Sequence, residues 1–405
     1  MDETNKHLHA RLRPTKALIH DAVDATTYLV GEGHESTARL AVAALETAGL
    51  GEPARAVDSL RRLLTEGVLG SVRAVNRGVE GVSDAALDLG QVEQPPEPAV
   101  PLRSDALTSV PGAIDQLVGA LNGAVGDHLA SSNNGLDLGM RLRHDGQWLP
   151  RFPATEALEG VSARVVVLVH GLATTELSWS LSAESELGDA GAHYGGLLQE
   201  ELGLTPLYAR YNTGRPIVES GRQLAETLEA LVQRWPVRLE ELVIIGHSMG
   251  GLVARAATHV GTNDQHAWVG LLSDVICLGS PHQGAPLARA GQTAAEVLSS
   301  VELPLTRILG RILSHRSEGV KDLQHRELQG IGPLLDGVRY LFVAGSAGPD
   351  LDHAATDWLG DLLVPVESAS GPEGEQVRVR RFAWVPHHQL QAHAGVYAAI
   401  RERLT

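Results

Sequence analysis

An α/β architecture, a mostly parallel central sheet with helices on both faces, is the fold class that this 405-residue sequence predicts. Three observations predict it. Short β-branched runs recur at Arg164 to Val169, Glu241 to Ile245, Asp274 to Leu278 and Arg339 to Val343. Each is apolar almost throughout, as a strand buried on both faces must be. Glycine and a polar loop follow each run, and helical stretches lie between them, which is the βαβ pattern.

The elements before this region are of another kind. Residues 1 to about 90 read as helical. Leu18, Ala22, Thr26 and Leu29 share one face, Leu40, Ala41, Ala44 and Leu45 a second, and Val57, Leu60 and Leu64 a third. Gln94 to Pro101 holds too many prolines for a helix or a central strand and reads as an extended linker. The expected organisation is therefore an N-terminal helical region with linker over 1–101, and an α/β domain over 102–405. Within the second part, the apolar spacing predicts a helix over 113–130, and Ser131 to Gly135 forms a turn. Asp145-Gly146 predicts a hairpin between Leu136 and Leu149. Residues 286–330 interrupt the strand–helix alternation with amphipathic helical pieces (Val297, Leu298 and Val301; Leu305, Ile308, Leu309 and Ile312).

Composition narrows the function classes. The chain is 43% hydrophobic and carries a formal charge of −16, which on average repels nucleic acid and anionic membrane surfaces. It has no uninterrupted apolar window long enough to span a bilayer. The polar start, Met1 to His7, is followed by no apolar leader, so a cytoplasmic location is expected. The single cysteine, Cys277, excludes an intrachain disulfide and a cysteine-based zinc site. It falls inside a strand and reads as a small core residue.

The sharpest motif is Gly246-His247-Ser248-Met249-Gly250-Gly251. It fits Gly-x-Ser-x-Gly, with a buried strand before it and a helix after it through Leu252, Val253, Ala256 and Ala257. The turn from strand to helix is tight enough to strain Ser248, and the flanking glycines remove the clashes. The hydroxyl is thereby presented at a helix N-terminus. His170-Gly171-Leu172 directly follows the first central strand. An acyl-transfer site needs backbone N–H groups for its oxyanion, one from the residue after the nucleophile and one from the loop after an earlier strand. Met249 and Leu172 hold those positions. His247 beside the serine is read as ordering the turn, and His170 as neither a metal ligand nor a plain surface residue.

These motifs resemble the lipase and esterase branch of the α/β-hydrolase superfamily. More narrowly, they resemble bacterial relatives of the α/β domain of glycosylphosphatidylinositol inositol-deacylase. The run Leu278-Gly279-Ser280-Pro281-His282-Gln283-Gly284-Ala285-Pro286, the segment Gly360 to Pro365 and His387-His388-Gln389-Leu390 carry the same resemblance. It extends over about residues 135–405. It implies an α/β-hydrolase fold and a nucleophile, acid and base in the order Ser, Asp, His. The amphipathic pieces at about 286–330, which follow a strand end near the expected site, read either as a helical lid or pocket wall over Ser248 or as completing the core. Among Asp350, Asp352, Asp357 and Asp361, the family pattern selects Asp361, with Leu362 standing where glycine is usual. A histidine three residues before Leu390 selects His387 over His388, and His393 matches a non-catalytic position.

The resulting expectation is a serine hydrolase of carboxylic esters, with a hydrophobic or lipid-like acyl group and no metal or organic cofactor. An acyltransferase or amidase using the same residues is the nearest alternative, and a non-catalytic binding scaffold is the third. The expected partner is the ester substrate, with no nucleic acid. The N-terminal helices are open to three uses: a cap, an oligomer contact (homo-oligomer) or a partner site.

Overall fold

The computed structural model describes residues 102–108, 110–131, 137–149, 158, 160–284, 317–323, 330–346, 348, 360–361 and 363–405. The expected N-terminal helices and linker, and most of the 286–330 insertion, lie outside the described residues. The chain divides into two compact units, residues 1–98 with 109–117, and residues 99–108 with 118–405. The second holds all the elements below; α1 belongs to it from Val118 onward.

The helices are α1 (Val110–Ser131), α2 (Ala183–Leu187), α3 (Tyr194–Leu202), α4 (Ile217–Arg234), α5 (Met249–Asn263), α6 (Glu318–Asp322), α7 (Val366–Ser370) and α8 (Ala394–Leu404). The strands are β1 (Met140–His144), β2 (Gln147–Trp148), β3 (Arg164–Val169), β4 (Thr205–Tyr211), β5 (Glu241–His247), β6 (Leu272–Leu278), β7 (Arg339–Ser346) and β8 (Val377–Ala383). They form one sheet in the order β2-β1-β4-β3-β5-β6-β7-β8. β1 runs antiparallel to β2 and β4, and every neighbouring pair from β4 to β8 is parallel.

Alternate residues of the central strands supply two separate cores. Val165, Val167 and Val169 pack on one face with Leu224 and Leu228 of α4 and Leu252 and Val253 of α5. Val166 and Leu168 pack on the other with Tyr194 and Leu198 of α3 and Ile400 of α8. This is why β3 carries no polar residue after Arg164: both of its faces are covered by helices. The β1–β2 hairpin forms as the Asp-Gly signal predicts, with Asp145 at φ 45° and Gly146 at φ 75°, the positive pair that a tight two-residue turn requires.

The strand that sequence patterning passes over is β4. Its seven residues are all buried, but Pro206 and Arg210 break the apolar run. β3 and β5 are neighbours, but the connection after β3 runs to β4 on one side and the connection after β5 runs to β6 on the other, so the strand order reverses between them. Ligands in open α/β sheets bind outside the carboxyl ends of the strands at such a reversal.

Candidate active site

Ser248 sits between β5 and α5 with φ 54° and ψ −125°. That is a positive-φ conformation that side chains other than glycine seldom adopt. Its N–H is held by the Leu278 carbonyl at 2.8 Å. The turn closes because Gly250 presses on the end of β3; a Cβ at Gly250 would run into the carbonyl oxygens of Val169 and His170. Ser248 is half-buried, whereas Met249, the first residue of α5, is fully buried. The N–H groups of a first helical turn have no acceptor within the helix. Met249 therefore brings a backbone donor to the foot of the serine.

The loop after β3 lies against the same serine. A Cβ at Gly171 would stand 3.0 Å from Ser248 Cβ, and Leu172 follows it, half-buried. His170 is buried and works from within. The Tyr211 N–H can only donate, and it meets His170 Nε2 at 3.3 Å. The proton of the neutral ring is then on Nδ1, which donates to the Gly171 carbonyl at 2.9 Å. The ring stacks on Tyr211 at 4.5 Å. Burial lowers the His170 pKa to about 4, so the imidazole is a fixed neutral brace for this loop.

Asp361 and His387 come together from the loops after β7 and β8. His387 Nδ1 lies 2.7 Å from Asp361 Oδ2, and the His387 N–H donates to the Asp361 carbonyl at 3.0 Å. The other carboxylate oxygen accepts the N–H groups of Leu363 at 3.1 Å and Val364 at 2.9 Å. Asp361 is wholly buried. Glycine does serve this turn, on the other side of Asp361 from the family's position: Gly360 has φ 53°, and a Cβ there would collide with the Val364 carbonyl. Asp350, Asp352 and Asp357 lie outside the described residues.

Gly279 lies beside the Asp361–His387 pair and directly after the residue that holds the serine turn. It follows Leu278, whose carbonyl holds the Ser248 N–H. A Cβ on Gly279 would be 3.1 Å from both Asp361 Oδ2 and His387 Cε1. His247 ties the serine turn to the histidine loop. Its Nε2 donates to the His387 carbonyl at 3.0 Å, and the two rings lie 4.7 Å apart. Burial, with repulsion from His387, holds the His247 pKa well below the usual imidazole range. His247 thus acts as a neutral strut, as its place beside the serine suggests.

Two contacts that sequence reasoning missed secure the histidine loop. The Tyr194 hydroxyl is shared between the carbonyls of Leu390 (3.0 Å) and His393 (2.8 Å). Ser178 Oγ donates to Gln391 Oε1 at 3.1 Å. Both link positions about two hundred residues apart, and no local pattern announces them. His388 is half-buried, and burial lowers its pKa; the Asp361 carboxylate bonds the ring of His387.

The Ser280-to-Gly284 run has a bracing role. His282 Nδ1 accepts from Arg255 at 2.9 Å and its ring packs on Phe342. Ser368 of α7 donates to the Gly284 carbonyl and accepts the Gln283 N–H. Cys277 is fully buried in β6, and burial pushes its thiol up to about 12, consistent with a core residue. Among the described residues, no group of three or more His, Cys, Asp or Glu side chains is arranged to hold a metal ion. No described helix is long and apolar enough to cross a membrane.

Residues 161–303 match the family model described as a PGAP1-like alpha/beta domain. Among solved structures, the chain is similar to a lipase from Bacillus licheniformis in its mature form (17% identity, TM-score 0.42, covering 61% of this chain and 95% of that one). It is also similar to a lipase-esterase related protein from Clostridium acetobutylicum (14%, TM-score 0.38, 65% and 98%). A third is an esterase from Pyrobaculum calidifontis (13%, TM-score 0.37, 71% and 90%). No curated protein sequence matches the chain. The chain has the α/β-hydrolase fold, with an eight-stranded, mostly parallel sheet.

Proposed function

We propose that the protein hydrolyses carboxylic esters through an acyl-enzyme on Ser248. The observation that carries this reading is the buried Asp361–His387 contact of 2.7 Å, set around Gly279 next to a serine held at φ 54°. With its Nδ1 proton committed to Asp361, the imidazole has Nε2 as its basic nitrogen. Nε2 takes the Ser248 proton as Oγ attacks the ester carbonyl. The negative oxygen of the tetrahedral intermediate is held by the N–H groups of Met249 and Leu172. The intermediate collapses with cleavage of the C–O bond, and His387 returns the proton to the departing alcohol. Water then attacks the acyl-serine, His387 again takes the proton, and the carboxylic acid leaves with Ser248 restored. Asp361 keeps the ring in one tautomer and balances its charge when protonated.

The acyl group we assign is hydrophobic. This rests on the amphipathic pattern of residues 286–330, which enters the chain directly after β6 and its Ser280-to-Gly284 loop. Labelling with a fluorophosphonate probe tests the nucleophile: wild-type protein is expected to label, and Ser248→Ala to remain blank. Label retained by the alanine variant would remove Ser248 from the reaction. Hydrolysis of an ester panel graded by acyl length, with added alcohol acceptors, separates hydrolysis from acyl transfer and reads the chain preference.

A further inference from the structure

Glu176 follows the 170–175 loop at the start of a short 3-10 turn (Glu176–Ser180) and has no exposed surface. A carboxylate removed from water is costly unless cations and hydrogen bonds surround it. Here Arg143 Nη1 lies 2.6 Å from Oε1, and Arg210 reaches both oxygens, Nη2 to Oε1 at 2.7 Å and Nε to Oε2 at 2.6 Å. Both guanidiniums are themselves buried. The Trp148 ring lies beneath them, 4.6 Å from Arg210 and 5.7 Å from Arg143, with Arg141 at 4.8 Å. Burial opposes the charge on Glu176, and the two guanidiniums outweigh it, so the carboxyl is held below its usual range.

The end of β4 and the residues just after it grip the loop at several points. Arg210 holds Glu176. Tyr211 holds His170 through its N–H and, at 3.0 Å, through its hydroxyl on the His170 carbonyl. Thr213 Oγ1 accepts the Ala173 N–H at 3.1 Å. Ala173 is kept at φ 59°, a conformation that persists only where neighbours enforce it. Leu172 lies between these fixed points. A buried ion pair contributes little net stability compared with apolar packing. What a forked guanidinium supplies is direction, because it meets a carboxylate in one plane.

We propose that Glu176 is a positioning residue, whose ion pairs with Arg210 and Arg143 clamp the 170–175 loop so that the Leu172 N–H faces the carbonyl attacked by Ser248. The catalytic half of this inference rests on the hydrolase reading above; the clamp itself does not. Glu176→Gln removes the charge, and Arg210→Lys keeps the charge but gives up the fork, with less burden on folding. Two measurements on the full chain test it. In hydrogen–deuterium exchange, both variants are expected to speed exchange of the amides at 171–175 about tenfold or more, with β5 amides unchanged. In ester hydrolysis, kcat is expected to fall about 10- to 100-fold with KM within about twofold, and boronic-acid affinity to fall in parallel with kcat. Unchanged exchange at 171–175 in both variants would overturn the clamp. Faster exchange with kcat preserved would overturn its role in positioning. Wild-type protein that fails to label with fluorophosphonate would instead refute the hydrolase reading, and the exchange result would still decide the clamp.

Discussion

His387 is joined to Asp361 twice, by a 2.7 Å contact from its ring Nδ1 to the carboxylate and a 3.0 Å bond from its backbone N–H to the Asp361 carbonyl. Main chain and side chain therefore share one partner, and the ring can turn little without breaking a buried bond. Asp361 is bound just as closely, since its second oxygen accepts two backbone N–H groups.

Asp361→Asn separates the structural from the chemical part of this arrangement. The asparagine oxygen can still accept the Leu363 and Val364 N–H groups, so the turn should survive. The amide nitrogen that replaces Oδ2 presents a donor to Nδ1 and drives the proton to Nε2, the wrong tautomer for accepting from serine. We expect kcat to fall about 10⁴-fold, with a melting temperature close to that of wild type. A variant within tenfold of wild-type kcat would remove Asp361 from the relay.

Neighbouring histidines offer a sharper comparison. His387→Ala should cost at least about 10²-fold in kcat, the lower end for loss of a general base. His388→Ala should stay within about threefold, because its ring does not bond the Asp361 carboxylate. The reverse ranking in steady-state ester kinetics would exchange the two assignments.

Acid should weaken the fold through its buried neutral histidines. His193 caps α3, with Nδ1 accepting the Gly196 N–H at 2.9 Å, and burial lowers its pKa to about 4. The unfolded chain takes up this proton below about pH 6.5. Between these values the unfolded state binds more protons, so stability is intact above about pH 6.5 and declines toward pH 4. The full contribution is about 3 kcal/mol. Asparagine also caps helices and does not titrate. Urea midpoints for His193→Asn should therefore fall less steeply between pH 6.5 and 4 than those of wild type, and parallel curves would count against this.

Substrate preference is expected to depend on the 286–330 insertion. Deleting residues 290–315 should impair hydrolysis of long-acyl esters more than acetyl esters, read as the ratio of kcat/KM values. Equal losses on both would assign the insertion to the core and not to acyl binding.

Much of this was legible before the structure, for reasons that are local. β3, β5, β6 and β7 announce themselves because strands covered on both faces are apolar through most of their length. The serine turn is legible because its glycines stand where a Cβ has no room. Asp361 and His387 were selected by family pattern, and Gly360 explains how the turn forms without glycine at position 362. What was hidden depends on distant partners. Arg210 makes β4 look unlike a buried strand, and Glu176 looks like a solvated loop acid; each makes sense only beside the other. Tyr194 gives no sign that it holds the histidine loop.

The order of the strands has one further consequence. Ser248 and the 170–172 loop issue from β5 and β3, which are paired in the middle of the sheet with Val169 opposite Gly246. Asp361 and His387 issue from β7 and from β8, an edge strand whose middle residues are exposed. The two halves of the site therefore stand on ground of unequal firmness. On gentle denaturation the margin should loosen first. Turnover would then cease while the strained serine and its amide donors were still in place, and inactivation would precede the collapse of the sheet.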